Sequence, residues 1–134
     1  MVKITRIHKK STNTATLITL DAKGKTLGRL ASEIAFALQG KNTPHYAPHI
    51  FVPVNITVHN IEALHVTGAK MKNKKYWHYS GYPGGIYSQG LAEMWEKSPQ
   101  EVLRRAVYGM LPKNTLRQRR IKGLKIAIVA NSAV

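Results

Sequence analysis

The six acidic residues of this chain, Asp21, Glu33, Glu62, Glu93, Glu96 and Glu101, leave three long stretches with no acid at all. Residues 1–20 carry Lys3, Arg6, Lys9 and Lys10; residues 63–92 carry Lys70, Lys72, Lys74 and Lys75. Residues 102–134 carry Arg104, Arg105, Lys113, Arg117, Arg119, Arg120, Lys122 and Lys125. Against the six acids stand 21 lysines and arginines, a formal charge of +15. Any fold must spread these cations over its surface, since unpaired charges are almost never fully buried. A surface so charged repels itself and destabilises the compact state. Because the acid-free stretches are separated, the pattern predicts a folded domain with several basic patches rather than one basic tail. A polyanion that releases its counterions relieves the repulsion, so nucleic acid is the leading partner and an anionic membrane surface the second.

The remaining bounds are quickly set. A length of 134 residues supports one domain, two at most, and 43% apolar residues are enough for a core. No apolar run approaches the roughly 18 residues of a membrane span; the longest are pieces such as Ile126 to Ala130. There is no cysteine, which excludes a disulfide scaffold, thiol catalysis and cysteine-based zinc sites, and fits a reducing compartment. Residues 1–16 are basic and rich in Ser and Thr, and are expected to form a mobile arm that orders on a partner. Residues 17–134 are expected to form a single α/β domain. A transit peptide is the rival reading of the arm, but the stretch is short and holds one arginine; no apolar segment is present that would make it a secretory signal.

Leu17 to Leu20 reads as a short strand and Asp21 to Lys25 as a turn. A helix over 26–39 follows: Leu27, Leu30, Ala31, Ile34, Ala35 and Leu38 fall on one face, Thr26 is a candidate N-cap and Gly40 a candidate stop. Strand, turn and helix in succession indicate an α/β unit. Residues 41–53 contain Pro44, Pro48 and Pro53 and are expected as extended loop. Ile56 to His59 and Ala63 to Thr67 are candidate strands, residues 69–75 a short helix or loop, and Tyr76 to Tyr79 a strand broken by Gly81 to Gly85. Ser98-Pro99-Gln100-Glu101 spells a capping box with proline at the first helical position, predicting a helix over 98–111 ended by Pro112. Its apolar stripe is Val102, Leu103, Ala106, Val107, Met110 and Leu111; Arg104, Arg105 and Tyr108 face elsewhere. Leu124 to Val129 reads as a last, buried strand.

Three constellations bear on chemistry. Gly24-Lys25-Thr26 between a strand and a helix has the end of a phosphate-binding loop, but the first glycine that such a loop needs would fall at Thr19, inside the strand. Nucleotide or phosphate-ester chemistry built on this triplet is therefore the second hypothesis. A milder version, in which Lys23, Lys25 and the helix start hold a phosphate of an RNA backbone, keeps all the residues it needs. His45 and His49 have a spacing suited to zinc only on a helix, which Pro44 and Pro48 oppose, so no metal site is expected. Residues 70–85 set Lys70, Lys72, Lys74 and Lys75 before Tyr76, Trp77, His78, Tyr79 and Tyr82, then end on Gly84 and Gly85. Lysines neutralise phosphates, rings stack on bases, and glycines allow close backbone approach. Tyr76 and His78 share one strand face, so half of these rings are available to the core. Lys113, Arg117, Arg119, Arg120 and Lys122 follow a helix end with no acid nearby, which favours a phosphate-facing cluster over an ordinary solvated face. A DNA-binding protein is the third hypothesis, without a helix-turn-helix or zinc-finger signature to support it.

The segment Asp21 to Ala31, DAKGKTLGRLA, resembles the opening signature of the thirteenth large-subunit ribosomal protein family of bacterial type. Tyr46-Ala47-Pro48-His49, Val66 to Lys70, Ser80 to Gly85, Ala106 to Asn114, Leu116 and Leu124-Lys125 follow in that family's order, so the resemblance covers about residues 17–128. It implies a three-layer α/β/α fold around a mostly parallel sheet of about four strands. It also implies a structural constituent of the large ribosomal subunit in the cytoplasm, rather than an enzyme or an organellar protein. Its partners would be 23S-type ribosomal RNA and neighbouring large-subunit proteins, with no cofactor, membrane or small-molecule substrate, and it would support subunit assembly. Position and charge together carry over Lys23, Lys25, Arg29, Lys41, Lys70, Lys74, Lys75, His78, Lys113 and Arg117 as RNA-facing; Lys72, Tyr82, Gly84, Gly85, Arg119 and Arg120 join them on chemistry. Two departures stand out. Ile50-Phe51-Val52-Pro53-Val54 replaces a short acidic, glycine-bearing turn, and Ile126 to Val134 lacks the family's longer polar tail.

Overall fold

The central strand explains the rest of the architecture. In Val54–His59 every second residue, Val54, Ile56 and Val58, is buried, while Asn55, Thr57 and His59 are half-buried. One face of a strand with this alternation must be covered by other elements. The computed structural model describes residues 16–127, and in it the covering elements are helices. The order is β1 (Thr16–Asp21), α1 (Leu27–Leu38), β2 (Val54–His59), a 3-10 turn (Ile61–Ala63), α2 (Lys70–Asn73), β3 (Lys75–Tyr79), β4 (Ile86–Gly90), α3 (Leu91–Lys97), α4 (Pro99–Met110), α5 (Leu116–Ile121) and β5 (Leu124–Ile126).

The main sheet is parallel, in the order β1-β2-β5, with Ile18 opposite Ile56, Leu20 opposite Val58 and Ile56 opposite Leu124. That register puts Ile18, Leu20, Ile56, Val58, Leu124 and Ile126 on one face, in one core with Leu30, Ile34 and Leu38 of α1 and, from α4 packed on α1, Val102, Leu103 and Val107. A second, antiparallel sheet is the β3–β4 ribbon. The architecture is thus mixed α/β around a mostly parallel sheet, as the resemblance implies. The parallel sheet has three strands among the described residues, where the resemblance implies about four. Residues 63–67, a candidate strand by sequence, instead leave the 3-10 turn and make a single bridge, Thr26 to His65. The cause is local: Asn60 sits in the left-handed region at φ 57 and turns the chain away from β2.

The two long helices fall where the apolar stripes place them. α1 stops at Leu38, and Gly40 takes φ +77, a conformation in which any larger residue is strained. The capping box at Ser98 does not form: neither Thr26 nor Ser98 makes a side-chain cap bond. The amide of Ser98 already donates to the carbonyl of Met94 at 2.8 Å, closing α3, so it is not available to the Glu101 carboxylate. Glu101 lies 3.9 Å from Arg105 instead. Met110, expected in the α4 stripe, is exposed at the helix end. Residues 41–53 form turns and loop, as their prolines demand. Within the Ile50–Val54 segment, Val54 is buried, Val52 packs on the core, and Ile50 and Phe51 are exposed. β5 ends at Ile126, and the Ala127 amide still donates to the Val58 carbonyl at 2.9 Å; residues 128 and 129 of the expected strand, like arm residues 1–15, lie outside the described residues, and Thr16, the last residue of the expected arm, begins β1.

The turn after β1 is built on Asp21. Its Oδ1 accepts from the Lys23 amide at 3.0 Å and the Asn60 side-chain amide at 2.9 Å, and these bonds hold its carboxyl below the ordinary value of 3.8. A depressed carboxyl stabilises the fold above the unfolded value and loses that contribution as pH falls through the folded one. Urea midpoints measured downward from pH 5 should therefore drop more steeply for the parent than for Asp21→Asn, with the difference opening below about pH 4. Parallel acid limbs would refute the assignment.

Candidate nucleic-acid interface

In the expected phosphate turn before α1, several backbone amides are used in the turn's own bonding. The amides of Ala22, Lys23, Gly24, Lys25 and Leu27 donate to His59, Asp21, Ala63, Ala22 and His65. Lys25 pairs with Glu33 at 2.8 Å, both side chains remaining near half-exposed. A phosphate loop spends such amides on its ligand; here they tie β1 to β2 and to residues 63–65. Lys23 and Arg29 stay exposed beside the turn.

Residues 70–90 present the opposite situation. β3 and β4 pair Tyr76 with Gln89, Trp77 with Ser88, His78 with Tyr87 and Tyr79 with Ile86. Alternation then puts Lys75, Trp77, Tyr79 and Ile86 on one face of the ribbon and Tyr76, His78 and Tyr87 on the other. Tyr76 alone of these packs on the core, and burial pushes its hydroxyl above the ordinary 10.0 against the pull of Arg105 beside it. Trp77 is 70% exposed, Tyr79 57%, Tyr82 76% and Ile86 63%. Tyr87 is 55% exposed, and its ring centroid lies 5.0 Å from that of His78. So many large rings in water on both faces of a two-stranded ribbon are unusual in a lone soluble domain and mark a contact surface. The expectation that half of the rings serve the core is too generous; only Tyr76 does.

The glycines at the ribbon tip have an internal task. Gly84 adopts φ +75, and a Cβ on Gly85 would overlap the Ser80 hydroxyl. The tip closes through Ser80 N–H to the Gly85 carbonyl at 3.0 Å and Gly85 N–H to the Tyr82 carbonyl at 2.9 Å. Tight closure leaves Tyr82 standing outward at the end of the ribbon.

Lys70, Lys72, Lys74 and Lys75 are all exposed, on α2 and the start of β3. Lys74 and Arg105 both lie over the Tyr76 ring, at 5.4 and 5.3 Å from its centroid. Arg105 is the residue that pattern reading leaves out. Helical periodicity sets it off the α4 stripe, and only its place over the Tyr76 ring shows that it meets the lysine cluster. Elsewhere, Lys41 lies 5.8 Å from the Phe36 ring and 5.9 Å from that of Tyr46.

The carboxy-terminal cluster divides. Lys113, Arg119 and Lys122 are exposed or partly exposed. The Arg117 guanidinium lies over the Tyr108 ring, 3.6 Å from its centroid, and donates to the Tyr108 carbonyl, bracing α5 against α4. Arg120, expected on the RNA face, is only 2% exposed. Its Nη2 reaches the Pro48 carbonyl at 3.3 Å and its Nε has no partner. A helix of six residues that packs on the core through Ile121 turns the neighbouring position inward, which the charge pattern alone does not reveal. A buried cation so sparsely paired adds little stability. Arg120→Met should leave the thermal midpoint unchanged or higher and RNA affinity within about twofold, because Arg120 is not on the surface. A large loss of affinity with an intact fold would return Arg120 to the interface.

Comparison with known proteins identifies the family. The family model of ribosomal protein L13 matches residues 15–128. "Large ribosomal subunit protein uL13" of Chromobacterium violaceum is 50% identical over 107 residues, 80% of this chain and 75% of that protein. The protein of the same name from Rubrobacter xylanophilus is 48% identical over the same shares. That of Neisseria meningitidis serogroup B is 47% identical over 114 residues, 85% of this chain and 80% of the relative. With the family model covering most of the chain and relatives near half identical, the chain belongs to the ribosomal protein L13 family.

Proposed function

We propose that this chain is a structural constituent of the large ribosomal subunit that binds large-subunit ribosomal RNA and supports subunit assembly, without catalysing a reaction. The observation that carries this reading is how little of the positive charge is internally neutralised. Among the described residues only Lys25–Glu33 and Arg105–Glu101 come within ion-pair distance, and Arg105 is at the 3.9 Å margin. The rest of the exposed cations await an external anion.

The mechanism is electrostatic and geometric. Lys70, Lys72, Lys74 and Lys75 take phosphates on one side of the ribbon's base, Lys113, Arg119 and Lys122 on the α5 side, and Lys23 and Arg29 beside the first turn. Trp77, His78, Tyr79 and Tyr82 stack on bases or sugars, a sequence-tolerant contact worth about 1–3 kcal/mol per base. Patches on separate elements would bridge separate RNA segments, and the core of α1, α4 and the parallel sheet holds them at fixed spacing. The arm of residues 1–15 would add cations to the same partner. Neighbouring large-subunit proteins complete the surroundings, and the cytoplasmic ribosome is the place of action.

Sedimentation of a cell lysate through a high-salt sucrose gradient tests this. Co-migration with the large subunit, in salt that strips loosely bound basic proteins, is the expected result. Recovery only at the top of the gradient would reject an integral role.

A further inference from the structure

Between α1, α2 and α4 lies a cleft of about 340 Å³ whose two walls differ in chemistry. Its floor is apolar, formed by Leu27, Leu91 and Ala106. Its rim carries Lys70, Lys74 and Arg105 and no acid. Lys70, in α2, and Lys74, just past its end, are four residues apart, a like-charge spacing that costs stability. Arg105 is brought up to the same ring as Lys74 from another element. Three cations held together around a cavity, against their own repulsion, complement an anion. The walls are also open: a Cβ placed on Gly28 or on Gly109 would meet nothing within 4 Å.

We propose that this cleft receives one unpaired nucleotide of the bound RNA, its base on the apolar floor and its phosphate among Lys70, Lys74 and Arg105. The inference rests on the RNA-binding reading and adds to it a pocket for a single extruded residue. The volume is near the lower bound of about 300 Å³ for small-ligand sites, enough for one nucleotide and not for a run of them. The occupant belongs to an RNA strand because the hollow beside the cleft is lined by Ala69, Lys70, Asn73 and Lys74, so the backbone leaving the cleft stays over two of the same cations. A nucleotide already outside the base stack costs little to capture.

The test uses a short RNA hairpin with a single bulged 2-aminopurine nucleotide and the same hairpin fully paired. The parent protein should prefer the bulged form by about tenfold, the gain expected from removing roughly 55 Å² of base surface from water at about 25 cal/mol per Å², and the probe's emission should rise on binding. Gly109→Leu fills the cleft without changing charge and improves helix propensity. It should bring the preference close to one, and Gly28→Leu should do the same from the opposite wall. Equal affinity of the parent for the two hairpins, or a preference that survives both substitutions, would overturn the cleft while leaving RNA binding standing. Failure to bind either hairpin would overturn both readings together. Displacement of the probe by AMP as effectively as by unlabelled bulged hairpin would assign the cleft to a free nucleotide and refute the proposal.

Discussion

Raising salt from 50 to 200 mM is expected to weaken binding to large-subunit ribosomal RNA by about 10³ to 10⁵, the loss that follows from releasing counterions at roughly six to ten phosphates. The exposed lysines and arginines of α2, β3, α5 and the first turn are numerous enough to neutralise that many, and the acids of the chain are too few to compete. Lys25 is the partial exception, since Glu33 already holds it at 2.8 Å. Log affinity against log salt, measured by filter binding, should be a straight line. A fall of less than about tenfold over this range would mean that only one or two phosphates are neutralised. The aromatic ribbon would then be the main contact and the charge would serve chiefly to speed encounter. Substituting Trp77 and Tyr82 would separate these cases, because stacking contributes affinity that salt hardly screens.

The elements legible in the sequence are those with a strong local signal. α1 and α4 each have an apolar stripe over twelve residues, and Gly40 and Pro112 punctuate them. β2 alternates cleanly, and β1 is fixed by pairing with it. α3 escapes pattern reading because seven residues with two buried positions, Leu91 and Met94, hold too little periodicity to stand out. β4 escapes it because Gly81 to Gly85 looks like the end of a structure, whereas it is the tip of a ribbon that comes back. The capping box at Ser98 fails for a reason no four-residue motif contains, since the preceding helix uses the same amide. The candidate interface shows the same division. Exposed lysines are readable from charge and the missing acids. Arg105 is not, because its place depends on the tertiary approach of Tyr76 to α4, and the inward turn of Arg120 depends on how α5 seats beside Pro48.

Affinity and stability should separate cleanly between two sets of substitutions. Lys74→Glu with Lys75→Glu changes two exposed side chains. Each phosphate left without its cation weakens binding about tenfold near 0.1 M salt, so the pair should weaken RNA binding by about 100-fold and reduce the salt slope by about two. Stability should change by no more than about 1 kcal/mol, because the substitutions relieve self-repulsion while removing Lys74 from the Tyr76 ring. Leu103→Ala does the reverse. Leu103 is fully buried in α4, within the core shared with α1 and β2. Its truncation should cost about 2–5 kcal/mol and lower the thermal midpoint by roughly 10 °C. Affinity per folded molecule, measured well below that midpoint, should match the parent, since no RNA-facing group has moved. If the double lysine change instead melted the protein and left the affinity of the folded fraction intact, residues 70–85 would be a structural ribbon and not an RNA contact. If Leu103→Ala weakened binding at a temperature where it is fully folded, the core would be setting the spacing of the patches more finely than a rigid scaffold requires. Calorimetry and filter binding on the same preparations distinguish these outcomes.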